Sequence, residues 1–255
     1  HIPYKKVELK QNHFNSVQSF WCPDLDGLDP NIFIDSIETG VSGENEIKIF
    51  IMKDNKITNK KKVRFKENLN LPLSEIFNEE IKGPYICLIS FKHNFSNKYI
   101  HMNYNVRHNN KVIIGDCVHS LDSNLLIDEN DQPLSKIIEK QSNALKFMHF
   151  SKLSEKENYF LLVHVPKLKN FSKQELKIRI HTDEKYEYIL KEVLDPEKKI
   201  NVFDLKKILK EKNIQLFMKS KGIIQIESPV YNYPGYLMKV NKINKSVAID
   251  HLTGG

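Results

Sequence analysis

Glu46-Ile47-Lys48-Ile49-Phe50-Ile51 returns later in the chain, with the same alternation, as Glu175-Leu176-Lys177-Ile178-Arg179-Ile180. Apolar side chains occupy every second position, and a lysine or arginine often stands between them. A period of two places alternate side chains on opposite faces of a strand, so each stretch reads as a β-strand with one buried and one wet face. Strands of that kind favour antiparallel sheets.

Working outward, the same order of segments surrounds both stretches. An apolar run precedes each, Ile32-Phe33-Ile34 and Phe160-Leu161-Leu162-Val163. A short amphipathic segment follows each, Leu73 to Phe77 and Leu205 to Leu209. Then come Ile86-Cys87-Leu88-Ile89-Ser90 and Ile224-Gln225-Ile226-Glu227-Ser228. Each half closes with a tyrosine-led strand, a polar turn and a last strand: Tyr99 to Val106, Arg107–Lys111 and Val112–Asp116, against Tyr233 to Val240, Asn241–Lys245 and Ser246–Asp250. Six segments in one order predict an internal duplication.

The expected fold is all-β (mainly β), with two tandem antiparallel β-sandwich domains, each carrying one short helix. Residues 1–120 form the first repeat, 121–157 an acidic and then helical linker, and 158–255 the second repeat. Polar turns punctuate the strands at Asp54-Asn55, Asn94 to Asn97, Asn109-Asn110, Asp195-Pro196 and Pro234-Gly235. The second helix has Leu205, Ile208 and Leu209 on one face, with Asp204 as its N-cap. Ile137, Ile138, Leu145, Met148 and Leu153 suggest the linker helix.

Composition narrows the function classes. The chain has 255 residues, a net charge of +7 and 40% hydrophobic residues, enough for a packed core. No apolar run is long enough for a membrane-spanning helix. Alanine occurs only at Ala144 and Ala248, and arginine only at Arg64, Arg107 and Arg179, against 36 lysines and 25 asparagines. That bias matches an AT-rich coding sequence. It also argues against specific nucleic-acid binding, which relies on arginine for bidentate contacts. Glycine-rich phosphate loops and the G-x-S-x-G and HExxH signatures are absent from the sequence. Cys22, Cys87 and Cys117 form no CxxC, which favours a reducing, cytoplasmic setting. Secretion after removal of an upstream segment is the alternative, since His1 opens the sequence.

Four groups of residues are candidate sites. His101, Asp116 and His119 in the first half, with Asp250 and His251 in the second, put acids and histidines at strand ends, where they would ligate a divalent metal. Trp21, Tyr231, Tyr233 and Tyr236 lie at turns, where exposed rings stack on sugars. Lys60, Lys61, Lys62, Arg64 and Lys66 form a basic run without an acid. It reads either as an anion site or as an edge strand shielded by charge. Asp24, Asp26 and Asp29 alternate like part of a calcium loop but lack its closing glutamate.

The sequence therefore predicts a non-catalytic binding or assembly module that takes a glycan or another polar, anionic ligand at strand-end loops, or a protein partner. No cofactor is expected under that reading. The alternative is a metal-dependent enzyme of two-domain, bicupin-like β-barrel type, although the His-x-His with a downstream acid that marks that family is missing.

Overall fold

The structure is a computed structural model. It describes residues 15–34, 45–66, 68–91, 100–119, 125–127, 133–135, 144–150, 156–164, 173–182, 187–195, 198, 200–212, 222–228, 235–251 and 253–254. The chain is mostly strand, in antiparallel sheets, with two short helices among the described residues. It divides into two compact units, His1–Ile137 with Lys245–Val247, and Ile138–Asn244 with Ala248–Gly255.

In the first unit the strands are β1 (Asn15–Cys22), β2 (Asn31–Ile34), β3 (Asn45–Lys53), β4 (Lys56–Phe65) and β5 (Leu69–Pro72), followed by helix α1 (Leu73–Phe77). Then come β6 (Tyr85–Phe91), β7 (Ile100–Asn103), β8 (Val106–His108), β9 (Lys111–Ile113), β10 (Cys117–His119), β11 (Leu125–Ile127) and β12 (Pro133–Ser135). One sheet has the order β12-β11-β1-β6-β3-β4, a second β10-β7-β2-β5, and β8-β9 form a separate ribbon. Ile47, Ile49 and Ile51 of β3 lie opposite Phe91, Ile89 and Cys87 of β6, and all three isoleucines are buried. Two contacts join the larger sheet to the chain of the smaller one. The Cys22 thiol donates to Met102 Sδ at 3.8 Å, and the Tyr104 hydroxyl donates to the Trp21 carbonyl at 3.0 Å.

In the second unit the elements are β13 (Ala144–Phe150), β14 (Glu157–His164), β15 (Gln174–Thr182), β16 (Glu187–Leu194), β17 (Ile200–Asp204), helix α2 (Leu205–Glu211), β18 (Gly222–Ser228), β19 (Gly235–Asn241), β20 (Ser246–His251), whose first two residues group with the first unit, and β21 (Thr253–Gly254). Its sheets run β16-β15-β18-β13-β21 and β17-β14-β19-β20. One core cluster draws on both sheets and on the helix: Leu161 and Val163, Leu176, Ile178 and Ile180, Ile224 and Ile226, and Leu205, Ile208 and Leu209 all belong to it. The opposite face of β15 carries ion pairs, with Arg179 held by Glu187 at 2.7 Å and by Glu227 at 3.0 Å.

Local signals explain several junctions. Asp54 and Asn55 both have positive φ, 47° and 62°, as the two-residue β3–β4 hairpin requires, and Asn109 and Asn110 repeat this at 50° and 59° between β8 and β9. Asp204 caps α2 as expected, accepting the Lys207 N–H at 3.0 Å. The turn at Asn94 to Asn97 lies outside the described residues.

Segment 121–157 differs from its expected form. Residues 144–150 are strand β13, paired along their whole length with β18, and β11 and β12 extend the large sheet of the first unit. Of the apolar positions chosen for a helical face, Leu145 and Met148 fall within this strand. An apolar run this short fits either period, and seven cross-strand pairs outweigh the local helical preference.

Candidate functional site: a basic edge strand

β4 ends the sheet order β12-β11-β1-β6-β3-β4, so among the described residues it is an edge strand. It carries Lys56, Lys60, Lys61, Lys62 and Arg64 and no acid. Register with β3 sorts these cations: Lys60 lies opposite Phe50, Lys62 opposite Lys48 and Arg64 opposite Glu46. These three therefore share one face, while Lys61, opposite Ile49, belongs to the other. Lys66 follows the strand and is exposed. Two residues of strand span about 7 Å, so Lys60, Lys62 and Arg64 form a row of cations at about 7 Å steps.

The row has a built-in anion. Glu46 accepts Lys62 Nζ at 3.0 Å and Arg64 Nε at 3.1 Å. Hydrogen bonds from Lys62 and then Arg64 hold its carboxyl below the usual carboxylate range. Lys60 Nζ lies 5.7 Å from the centre of the Phe50 ring, a cation–π contact. These ion pairs are solvent-exposed and therefore weak, so an incoming polyanion can compete for both cations.

The strand-end groups are placed as follows. His101 lies opposite His119 in the β7–β10 register, and the His101 ring centre is 6.2 Å from that of Phe33. Asp116 precedes β10, and its Oδ1 accepts the Cys117 N–H at 2.9 Å. Asp250 and His251 end β20 in the second unit, with Asp250 exposed. Among the described side chains no three His, Cys, Asp or Glu groups come together as a metal cluster.

The aromatic set needs correction. Trp21 is only 8% exposed and Tyr236 4%, so neither ring offers a free face to a sugar. Trp21 lies in β1 opposite Ile86 of β6, and Tyr236 lies in β19 opposite Leu162. Tyr231 and Tyr233 lie outside the described residues. The aspartate run is also not a calcium loop. Asp24 and Asp26 are exposed, whereas Asp29 is buried and committed to Ser74 and Arg107.

All three arginines are used on carboxylates: Arg64 on Glu46, Arg107 on Asp29 and Arg179 on Glu187 and Glu227. The thiols are poor nucleophiles. Burial pushes Cys22 up to about 12, the Tyr85 hydroxyl pulling slightly the other way, and burial raises Cys87 well above its ordinary value. Burial and the Asp116 carboxylate raise Cys117.

Sequence reasoning placed Asp29 in a partial calcium loop and missed its partners Ser74 and Arg107. Only the placement of an acid two residues before a strand hinted at that pairing, and nothing local named Ser74 or Arg107. No family model, no curated protein and no solved structure matches this chain.

Proposed function

We propose that the chain is a non-catalytic binding module, built from two copies of one β-sandwich, that holds an acidic polysaccharide along β4. The single observation that carries the binding reading is the row of Lys60, Lys62 and Arg64 on one face of an edge strand. Evenly spaced cations on an extended strand suit an extended polyanion better than a compact phosphate. The ligand then runs along a strand and not, as the sequence alone suggested, over the strand-end loops.

The duplication is supported by strand order. The run β1-β6-β3-β4 in one unit is matched by β13-β18-β15-β16 in the other, and β10-β7-β2-β5 by β20-β19-β14-β17. In both, the helix follows the fifth strand. The sequence matches of β3 with β15, β2 with β14 and β6 with β18 fall on equivalent strands under this scheme. The last match shifts: β20 corresponds to β10, and the β8–β9 ribbon is extra in the first unit.

The test is binding to dextran sulfate, with neutral dextran as control. The triple variant Lys60→Glu, Lys62→Glu, Arg64→Glu should bind at least about tenfold more weakly, and added salt should weaken the wild type. Equal binding by both proteins would sink the proposal.

A second reading rests on one observation, the register partnership of His101 and His119 beside Asp116. A divalent metal held there predicts heat on zinc titration that disappears in His101→Ala. No difference between the two proteins would remove this reading.

A further inference from the structure

We propose that β16 is a self-association edge: it pairs antiparallel with β16 of a second copy of this chain, with Ile189 on the two-fold axis. β4 and β16 each end a sheet order among the described residues. An edge strand offers outward N–H and C=O groups to any other strand, and proteins blunt such edges with lysines and bulges. β4 has both devices. Lys56, Lys60, Lys61, Lys62 and Arg64 run along it, and its register with β3 shifts between Ile51 and Met52. β16 is built differently. It carries a single lysine, pairs with β15 in unbroken register from Glu187 to Leu194, and exposes Ile189 at 48% and Val193 at 58%.

Symmetry and charge select the register. A two-fold axis that pairs a strand antiparallel with its own copy stands perpendicular to the sheet, so outer face continues into outer face. Glu187, Ile189, Lys191 and Val193 alternate onto that outer face, while Leu190 and Leu194 are buried on the inner one. Within β16, opposite charges face each other under this symmetry only when Ile189 lies on the axis. Ile189 then meets Ile189, and Glu187 of each copy meets Lys191 of the other. Centring the pair on Lys191 would instead set two lysines directly opposite, which is unfavourable.

The charged side chains remain available for that match. Glu187 meets Arg179 at 2.7 Å and Lys191 meets Glu175 at 3.2 Å, and the two side chains are 45% and 64% exposed. Exposed ion pairs of this kind are weak, so each residue can share its partner across the axis. The pairing joins two five-stranded sheets through backbone hydrogen bonds and covers both Ile189 side chains. Glu187 and Lys191 stand two residues either side of Ile189, so the strand is complementary to itself reversed. That self-match specifies a second copy of the chain and not an unrelated peptide. The inference uses residues separate from β4 and does not depend on polysaccharide binding.

Sedimentation equilibrium of the full chain over a range of concentrations tests this. The wild type should be a reversible dimer. Ile189→Glu puts two carboxylates together on the axis and should weaken the dimer by roughly tenfold or more; within one chain the new side chain lies opposite Arg179, so the fold should be kept, as circular dichroism checks. Ile57→Glu, at an exposed position of β4, should leave the dimer unchanged. Glu187→Lys and Lys191→Glu should each dimerise more weakly alone, because like charges then meet across the axis. An equimolar mixture of those two variants should recover the dimer, because every cross-axis pair is again of opposite sign. A wild type that stays monomeric, a dimer that survives Ile189→Glu or is lost in Ile57→Glu, or a mixture no more associated than its two components would overturn the proposal.

Discussion

Asp29 caps a helix that begins at Leu73. Its carboxylate accepts the Ser74 N–H at 3.0 Å and the Ser74 hydroxyl at 2.7 Å. The residue at the cap position is Pro72, which makes no side-chain cap bond, so the acceptor comes from a distant loop. Arg107 closes the group at 2.8 Å, with Asp29 7% and Arg107 60% exposed. Helix α2 achieves the same locally through Asp204. Asp29→Ala should therefore cost about 2–4 kcal/mol, because it orphans Ser74 and removes a partly buried ion-pair partner. Asp204→Ala should cost about 1 kcal/mol. Urea denaturation of the two variants checks the ranking, and equal losses would contradict it.

Gly27 sets the approach of the same loop to β8. Its φ is +79°, and a Cβ there would lie 2.1 Å from the Arg107 carbonyl oxygen. Gly27→Ala should destabilise by about 1–3 kcal/mol or more, through left-handed strain and that clash together. Asn55→Gly, at a φ of 62°, should be neutral or stabilising by up to about 1 kcal/mol, since glycine is favoured in this hairpin turn. Thermal unfolding of both variants separates backbone strain from tolerance.

Glu46 competes with any ligand of β4. Its pKa is lowered by Lys62 and Arg64, so its small contribution to stability is present above the unfolded value near ~4.3 and is lost as pH falls through the lower folded value. Dextran sulfate should bind more tightly as Glu46 is neutralised in that acid range, with Lys62 and Arg64 released. Glu46→Gln should bind about twofold to fivefold more tightly at neutral pH, and its affinity should gain less on acidification. Titration calorimetry at several pH values measures both effects.

Thiol chemistry should distinguish the three cysteines. Cys22 and Cys87 are buried and Cys117 is exposed. A disulfide reagent at mildly alkaline pH should modify Cys117 in the native protein, slowly for a surface thiol because its pKa is raised. The other two should react only after unfolding. Modification of Cys22 at the rate of Cys117 would show that the core opens far more readily than its packing implies.

Much of the strand content was legible because alternation is a local signal. Ile47, Ile49 and Ile51 announced a half-buried strand, and Leu205, Ile208 and Leu209 announced a helix with its cap one residue ahead. The aromatic site was not legible. A Trp or Tyr near a turn has the same local sequence whether it faces water or the core, and Trp21 and Tyr236 face the core. Residues 144–150 misled for a related reason: a short apolar run fits both periods, and pairing with β18 decided between them.

By itself the sequence determined the mainly β class of structure, the turns at Asp54-Asn55 and Asn109-Asn110 and the basic character of β4, because each depends on neighbours within a few residues. Only the tertiary structure decided that β4 lies at a sheet edge, that Glu46 is shared between Lys62 and Arg64, and that Asp29 serves a helix far along the chain. Strand order and long-range hydrogen bonds depend on which segments meet in space, and backbone alternation carries no information about the partner.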